Sequence, residues 1–334
     1  DGESFKVSKK SFMGDLESGQ IDIVLGTHSL IQKNVNFKNL GLVIVDEQHR
    51  FGVEQRAELS KNKNLVPHLL SMTATPIPRT LALTIYGDLD ISILDEMPKN
   101  RKRVITRIVS PGNRRTAYEF IRSEIKKDRQ AFVICPLIEE SKVLETKAVK
   151  EEYKKLKEEI FPELKIDYIH GRLKEKESVM KSFSKGKINI LISTSVVEVG
   201  IDIPNATIMM IEGSERFGLA QLHQLRGRVG RGKDQSYCFL FSDSAGKTAR
   251  QRMKAIERAD SGFDLAEEDL KIRGPGQFMG LRQSGLPDIS MASLLDTKLI
   301  KKTRQDAKEF IDKIELYKEL KEKLKLFGDK VHLE

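Results

Sequence analysis

The feature that most constrains the fold of this chain is a series of short apolar runs that alternate with longer helical stretches. Each run is bounded by turn-forming or charged residues, which is typical of buried strands. Strands that alternate with helices form parallel sheets with both faces covered, so the sequence predicts an α/β fold. The predicted strands are residues 21–25, 42–45, 69–72, 131–135, 188–192, 208–211 and 237–241.

The chain divides into three predicted domains. Pro98 and the charged residues between positions 95 and 103 separate two groups of strands, and we expect a boundary there. No convincing strand follows Ser244, and the later residues have the pattern of helices interrupted by a Gly/Pro-punctuated stretch at 272–288. The predicted domains are residues 1–97, 98–245 and 246–334, with helices at 144–159, up to 258, and at 294–326.

Charge and cysteine content narrow the class of protein. With 58 Lys and Arg against 49 Asp and Glu, the formal net charge is +9, which favours an anionic partner such as nucleic acid or a membrane surface. A Lys-rich solvated surface explains the same charge. The two cysteines, Cys135 and Cys238, form no metal-binding or disulfide pattern, which fits a reducing cytosol. No segment approaches the roughly 18 apolar residues of a membrane span, so we expect a cytoplasmic protein without membrane contact.

Acidic residues and hydroxyls follow two consecutive predicted strands. Asp46 and Glu47 come after the run 42–45, while Thr73 and Thr75 come after the next. In open parallel sheets ligands bind beyond the carboxyl ends of the strands, where an acidic pair can hold a metal through water and polarise an attacking water. A lone Asp-Glu is often only a turn or a helix cap, and the threonines fit a cap before Pro76.

An arginine- and glycine-rich stretch lies in the second half of the chain. Arg226, Arg228 and Arg231 alternate with glycines in Q-L-R-G-R-V-G-R-G. Guanidinium groups bind phosphates through paired hydrogen bonds, and on a helical turn Arg228 and Arg231 would point the same way. The string also fits a basic turn or an RNA-binding element. With acids in one α/β domain and arginines in another, the pattern favours a composite site for phosphoryl transfer.

Six motifs occur in an order that resembles the superfamily two helicases. The longer strings D-E-Q-H-R-F-G-V, M-T-A-T-P-I-P-R-T and L-A-Q-L-H-Q-L-R-G-R-V-G-R-G are similar to the RecG family and to its relative, the Mfd family. The string R-G-P-G-Q-F-M-G-L-R-Q-S-G at 273–285 favours RecG. The resemblance implies two RecA-like lobes, the first truncated at its N-terminus, and a mostly helical C-terminal module. The six motifs are G-T-H at 26–28, D-E-Q-H at 46–49, T-A-T at 73–75, H-G at 170–171, V-G-I-D at 199–202 and Q-L-R-G-R-V-G-R at 224–231.

The resemblance implies ATP and Mg²⁺ as cofactors and assigns roles around them. Asp46 would hold the metal through water, and Glu47 would activate the attacking water. Gln48 and His49 would couple the nucleotide to DNA and to the other domain. The remaining assignments are Thr73 and Thr75 to the link between hydrolysis and movement, and Gly200, Asp202, Gln224, Arg228 and Arg231 to the nucleotide side of the cleft.

The same resemblance assigns residues to DNA. Two motifs usually face the nucleic-acid backbone, although a lone histidine such as His170 is more often a structural turn residue. A helical hairpin and loop, here residues 247–285, would convert closure of the lobes into travel along duplex DNA. The residues concerned are Thr27, His28, His170 and Gly171 in the motifs, and Arg273, Arg282 and Gln283 in the loop.

The expected function is that of a motor that remodels stalled forks and Holliday junctions, and we expect it to act as a monomer on branched double-stranded DNA. The phosphate-binding string G-x-x-x-x-G-K-[ST] does not occur in the 334 residues. We therefore expect this chain to be the C-terminal portion of a longer enzyme and to be inactive alone. The alternatives are an Mfd-like transcription-repair coupling translocase and a non-enzymatic nucleic-acid-binding module with helicase-like lobes.

Overall fold

A computed structural model of the chain describes residues 7–32, 34–47, 67–74, 90, 92–94, 96–98, 101–136, 142–171, 173, 175–194, 203–244, 246–259, 261–273 and 297–328. Internal contacts divide the chain into two units, with the boundary between Thr75 and Pro76. The three predicted domains, with boundaries after residues 97 and 245, remain a prediction.

The first unit contains one helix and a small parallel sheet. Helix α1 spans Lys9–Ser18; the Ser8 hydroxyl accepts a hydrogen bond from the Ser11 N–H at 3.2 Å, and Gly19 ends the helix with a φ of 74°. Strands β1, Leu42–Val45, and β2, His68–Ser71, pair in parallel. This confirms two of the predicted strands to within a residue.

The predicted strand at residues 21–25 is wrong, because these residues form an irregular segment. Ile23 and Leu25 are exposed, at 82% and 92%. A strand needs a neighbour to satisfy its backbone groups, and within the described part of this unit β1 and β2 pair with each other alone. An apolar run without such a neighbour gains nothing from the extended ladder.

The second unit contains a six-stranded, fully parallel sheet with the strand order β3-β8-β7-β4-β6-β5. The runs near 131, 188, 208 and 237 are confirmed as strands. The two edge strands, β3 and β5, escaped the sequence prediction because polar residues such as Thr106 and Asp167 interrupt their apolar character. The strands are β3 Ile105–Val109, β4 Gln130–Ile134, β5 Ile166–Ile169, β6 Ile190–Ser193, β7 Ala206–Ile211 and β8 Tyr237–Phe241.

Helices cover both faces of this sheet. The predicted helix at 144–159 is confirmed as α3 followed by a π-helical turn, Lys155–Ile160. The helices are α2 Arg114–Ile125, α3 Lys142–Lys154, α4 Lys176–Ser184, α5 Leu219–Arg226, α6 Lys247–Arg258 and α7 Gly262–Arg273, with the additional helices α8 Thr297–Ile311 and α9 Lys318–Gly328.

Successive residues of the central strands enter two separate cores. In β4, Phe132 and Ile134 join one core while Ala131 and Val133 join the other, because neighbouring side chains of a strand point to opposite faces. The first core is closed by α4, α5, α6 and α7, and the second by α2, α3 and the π-helical turn. Helices α5, α6 and α7 therefore lie on the same face of the sheet.

The C-terminal module is helical in its described residues, as the sequence predicted. The hairpin formed by α6 and α7 begins its second helix with a reciprocal cap, in which the Ser261 and Asp264 side chains each accept the other's N–H at 3.1 Å. The predicted helix at 294–326 is interrupted by a 3₁₀ turn at Ile314–Leu316, which separates α8 from α9. Among the helices described, none has both the length and the apolar character needed to cross a membrane.

The contrast between the two sheets gives a stability prediction. Ile192 in β6 is 0% exposed, whereas Ile44 in β1 is 56% exposed. We expect Ile192→Ala to lower the free energy of unfolding by about 2–5 kcal/mol, because it removes a packed side chain and leaves a cavity. The matched substitution Ile44→Ala should change it by less than about 1 kcal/mol. Urea unfolding of the 334-residue chain measures both, and equal losses would contradict the difference in burial.

Candidate nucleotide and nucleic-acid site

Acidic and hydroxyl side chains lie at adjacent strand ends in the first unit. Val45 pairs with Ser71, and the Met72 N–H donates to the Val45 carbonyl at 2.8 Å, so the chain leaves both strands at one edge. Asp46 and Glu47 follow β1, and Thr73 follows β2 at this edge. Asp46, Glu47 and Thr73 thus follow adjacent strand ends, whereas the expected contact of the threonines with the acids stays a prediction.

One residue of the acidic pair, Glu47, has a backbone conformation that is uncommon outside glycine. Glu47 has a φ of 54°, in the left-handed region, and its side chain is half-buried, while that of Asp46 is exposed. Carboxylate oxygens are the ligands that Mg²⁺ prefers, and Mg²⁺ keeps several of its waters. An exposed carboxylate such as that of Asp46 fits a water-mediated metal contact.

The first motif assigned to DNA forms a short turn. Thr27 precedes a 3₁₀ helix, His28–Ile31, and its hydroxyl lies 3.0 Å from that of Ser29. The Leu30 N–H donates to the Thr27 carbonyl at 3.0 Å. Thr27 is exposed, and the side chain of His28 lies outside the described part of the chain.

The histidine motif in the second unit lies at the carboxyl end of β5. His170 is buried, and its ring stacks on Tyr168 with the centroids 6.0 Å apart. The Leu173 N–H donates to the His170 carbonyl at 3.1 Å, while Gly171 is exposed. His170 thus has a clear packing role in the turn, and Gly171 presents backbone to solvent.

The arginine-rich loop, residues 227–232, follows α5 directly. Gln224 lies in the last turn of the helix, and the N–H of Arg228 still donates to the Leu225 carbonyl at 3.0 Å. Gly230 then adopts a φ of 79°, which ends the helical course. Arg228 is half-buried and Arg231 is exposed. The prediction that Arg228 and Arg231 lie on one helical turn is wrong, because the helix ends at Arg226 and a left-handed glycine lies between the two arginines.

Two other segments hold the arginine-rich loop in place. The Arg101 Nε–H donates to the Gly230 carbonyl at 2.9 Å, and a Cβ at Gly230 would lie 2.8 Å from Val104 Cγ2. On the other side, a Cβ at Gly232 would lie 2.9 Å from the Pro204 carbonyl oxygen. Both glycines are required because neighbouring atoms already occupy the space of a side chain.

Arg226 has a position that the sequence did not predict. Its Nη1 donates to the carbonyls of Ile256 at 2.8 Å and Ala259 at 3.3 Å, at the C-terminal end of α6. Its Nη2 lies 3.2 Å from His223 Nδ1. The arginine thus links α5 with the helical hairpin, whereas the sequence grouped it with Arg228 and Arg231. The two carbonyls that it binds lie 30 and 33 residues away, so local sequence carries no signal for them.

A second link joins the hairpin to the start of α5. Arg252, in the middle of α6, donates from Nη2 to the carbonyls of Glu215 at 2.6 Å and Phe217 at 2.9 Å. These carbonyls lie in the turn that precedes α5. Two arginines therefore fasten α6 to the element that leads into the arginine-rich loop.

An ionic network, which sequence reasoning also missed, occupies the carboxyl edge of the larger sheet. Glu212, directly after β7, accepts from Arg114 at 2.8 Å and lies 3.8 Å from Lys155 Nζ. Arg114 also pairs with Asp243 at 3.1 Å, and Lys155 with Glu152 at 3.1 Å. The network ties the first turn of α2 and the π-helical turn to the strand ends.

The pKa values of Glu152 and Lys155 in this network are both raised above their ordinary values. Burial, and then the charge of Glu212, raise the pKa of Glu152. Burial opposes the charge of Lys155, but Glu152 and Glu212 outweigh it and raise the pKa of Lys155. The ammonium group therefore stays charged between the two carboxyl groups and holds them together.

The structure brings together only part of the predicted site. Asp46, Glu47 and Thr73 belong to the first unit, and Gln224, Arg228 and Arg231 to the second, so the composite site remains a prediction. Arg273 is the last residue of α7, and its side chain lies outside the described part of the chain. The other predicted residues outside the described ranges are Gln48, His49, Thr75, Gly200, Asp202, Arg282 and Gln283.

Three sequence families match consecutive parts of the chain. The family described as DEAD/DEAH box helicase matches residues 2–84. The helicase conserved C-terminal domain matches residues 113–233. The family described as ATP-dependent DNA helicase RecG, domain 3, C-terminal, matches residues 259–326. The three matches together extend over most of the sequence.

Two curated relatives and a solved structure resemble most of the chain. It is 48% identical over 341 residues to the ATP-dependent DNA helicase RecG of Synechocystis sp., covering 99% of this chain and 41% of that protein. It is 50% identical over 324 residues to that of Thermotoga maritima, covering 96% of this chain and 41% of that protein. A structure of RecG bound to a three-way DNA junction superimposes with a TM-score of 0.66 at 47% identity, covering 87% of this chain and 38% of that chain. The chain spans less than half the length of these relatives.

The backbone of the arginine-rich loop gives one prediction. We expect Gly230→Ala to lower the free energy of unfolding by about 1–3 kcal/mol, because alanine disfavours a left-handed φ and its methyl group would meet Val104. The control is Gly112→Ala, where a Cβ would have no neighbour within 4 Å. Thermal unfolding compares the two variants, and an equal effect would contradict the close approach at Gly230.

A second prediction concerns pH. Burial, and then the charge of Arg226, lower the pKa of His223 to about 4. The unfolded chain takes up this proton near pH 6.5, so between about pH 6.5 and 4 it binds more protons than the folded chain. The free energy of unfolding should therefore fall with decreasing pH in this window, by at most about 1.4 kcal/mol per pH unit. His223→Asn, which keeps an acceptor but does not titrate, should reduce the slope; an unchanged slope would contradict a neutral His223.

Proposed function

The chain belongs to the RecG family of ATP-dependent DNA helicases, and from this premise we propose that it is the motor portion of a double-stranded DNA translocase. In this proposal the full-length gene product remodels stalled replication forks and Holliday junctions during recombination and repair. Helicase families match both units, and the third match covers the hairpin and the C-terminal helices.

The arginine-rich loop is the observation that carries the proposal. Glycines that neighbouring atoms hold in place shape a loop with one half-buried and one exposed guanidinium. Fixed donors of this kind stabilise the charge that develops during phosphoryl transfer without reorganising. We assign Arg228 and Arg231 to the triphosphate, with Gln224 in the preceding turn and with Gly200 and Asp202 beside the nucleotide sugar.

The acidic edge of the first unit supplies the complementary chemistry. Glu47 would orient and deprotonate the attacking water, and Asp46 would hold Mg²⁺ through water. Thr73, at the neighbouring strand end, and Thr75 would help to link ATP hydrolysis to movement. Gln48 and His49 follow the acids in sequence and would communicate with the second lobe.

The proposed DNA contacts use residues from both units and from the hairpin. The formal charge of +9 favours a phosphate backbone as partner. Thr27 and Gly171 are exposed at their turns and are suited to backbone contacts. The α6–α7 hairpin would move the duplex. His28, His170, Arg273, Arg282 and Gln283 complete the proposed set.

The test compares variants of the full-length gene product on a forked DNA. We expect DNA-stimulated ATP hydrolysis, which Glu47→Gln abolishes by removing the general base and which Arg228→Ala lowers by about 10³-fold or more. DNA binding, measured by fluorescence anisotropy, should persist in both. The matched control Lys233→Ala changes an exposed cation just beyond the arginine-rich loop and should keep full activity.

Two outcomes would overturn the proposal. One is a full-length protein without DNA-stimulated hydrolysis, as a non-enzymatic binding module would show. The other is an Arg228→Ala variant that loses DNA binding but keeps hydrolysis. The 334-residue chain alone, which lacks the phosphate-binding string, is expected to be inactive; this, the monomeric state and the cytoplasmic location stay predictions.

A further inference from the structure

We propose that Arg226 is a positioning residue that couples ATP hydrolysis to movement of the helical hairpin. The inference rests on the proposed function and adds a residue to it. Arg226 is the last residue of α5, two positions before Arg228, and its guanidinium binds the end of α6. One side chain thus belongs to the helix that leads to the phosphate-binding arginines and also caps the first helix of the hairpin.

The contact is well suited to fix a helix end. The last carbonyls of a helix have no partner within it and carry partial negative charge. A guanidinium that donates to two of them therefore satisfies these acceptors and also places a positive charge at the negative end of the helix. The bonds to Ile256 and Ala259 are charge-assisted, and the group is half-buried. His223, which lies 3.2 Å away through Nδ1, helps to orient the guanidinium.

Two polar attachments fix the orientation of α6 relative to α5 more closely than one attachment does. Arg252 holds the middle of α6 to the turn before α5, and Arg226 holds the end of α6 to the end of α5. The apolar side chains between these helices contribute cohesion, but the hydrophobic effect has little directional preference. Without Arg226, the end of α6 would lose its polar attachment to α5, while Arg252 would still hold the middle of α6.

This arrangement gives Arg226 a specific consequence for the motor. A shift of the arginine-rich loop that accompanies hydrolysis moves the end of α5, and Arg226 transmits that shift to the end of α6. Loss of the contact should leave Arg228 able to reach the nucleotide, since the glycines and Arg101 still shape the loop. Hydrolysis should then continue with less movement per ATP.

The experiment measures ATP hydrolysis and fork unwinding side by side in the full-length gene product. We expect Arg226→Met to keep DNA-stimulated hydrolysis within about threefold of wild type and to lower the base pairs unwound per ATP by about tenfold, as expected for the loss of charge-assisted bonds. Arg226→Lys, whose ammonium can reach one carbonyl, should restore part of the ratio. Arg258→Met, an exposed arginine at the same end of α6, is the matched control and should keep the wild-type ratio.

The outcomes separate this inference from the proposed function. A wild-type protein without DNA-stimulated hydrolysis would overturn the proposed function and the inference with it. With an active wild type, an unchanged ratio in Arg226→Met would overturn the inference alone, as would an equal loss in Arg258→Met. A parallel fall of hydrolysis and unwinding would also overturn it. If Arg226→Met does not fold, as thermal unfolding would reveal, Arg226→Lys is measured instead. A ratio of base pairs unwound per ATP equal to that of the wild type would then overturn the inference, and a lowered ratio would support it.

Discussion

The burial of both faces of the six-stranded parallel sheet is the constraint on which the rest of the second unit depends. Because successive side chains of β4, β6 and β7 alternate between two cores, helices must close each side. One of these cores collects α5, α6 and α7, which places the helix before the arginine-rich loop against the hairpin. The proximity of the arginine-rich loop and the helical hairpin is therefore a product of packing.

The smaller sheet shows what happens when this constraint is not met within the described residues. Leu42 and Ile44 of β1 are half exposed, and Leu69 and Leu70 of β2 are similar. The apolar character of these strands is that of a sheet covered on both faces, which two strands do not form by themselves. The same reasoning explains why the apolar run at 21–25 was a poor predictor: its residues have the composition of a strand, but no strand among the described residues pairs with them.

Most strands of the larger sheet followed from the sequence because their apolar runs report two-sided burial. The edge strands β3 and β5 were missed because polar residues alternate with their apolar ones, so they contain no continuous apolar run. In the candidate site, the neighbouring positions of Asp46, Glu47 and Thr73 were predictable, since parallel strands end at a common edge. The roles of Arg226 and of the Glu212 network were not, because their partners are distant in sequence and depend on how helices pack. The spacing of Arg228 and Arg231 likewise predicted a shared helical turn wrongly, because nothing in the spacing reports the left-handed backbone of Gly230 between them.

The entry of the chain into the second unit has a consequence for how that unit can be isolated. Residues 101–104 lie along the segment 230–236, with Arg101 bonded to the Gly230 carbonyl, Val104 against Gly230, and Gln235 Nε2 donating to the Arg103 carbonyl at 2.7 Å. A truncated unit that began at β3 would retain all six strands and both cores and still lose one wall of the arginine-rich loop. The smallest piece that preserves the geometry of this loop is therefore longer than the smallest piece that preserves the fold.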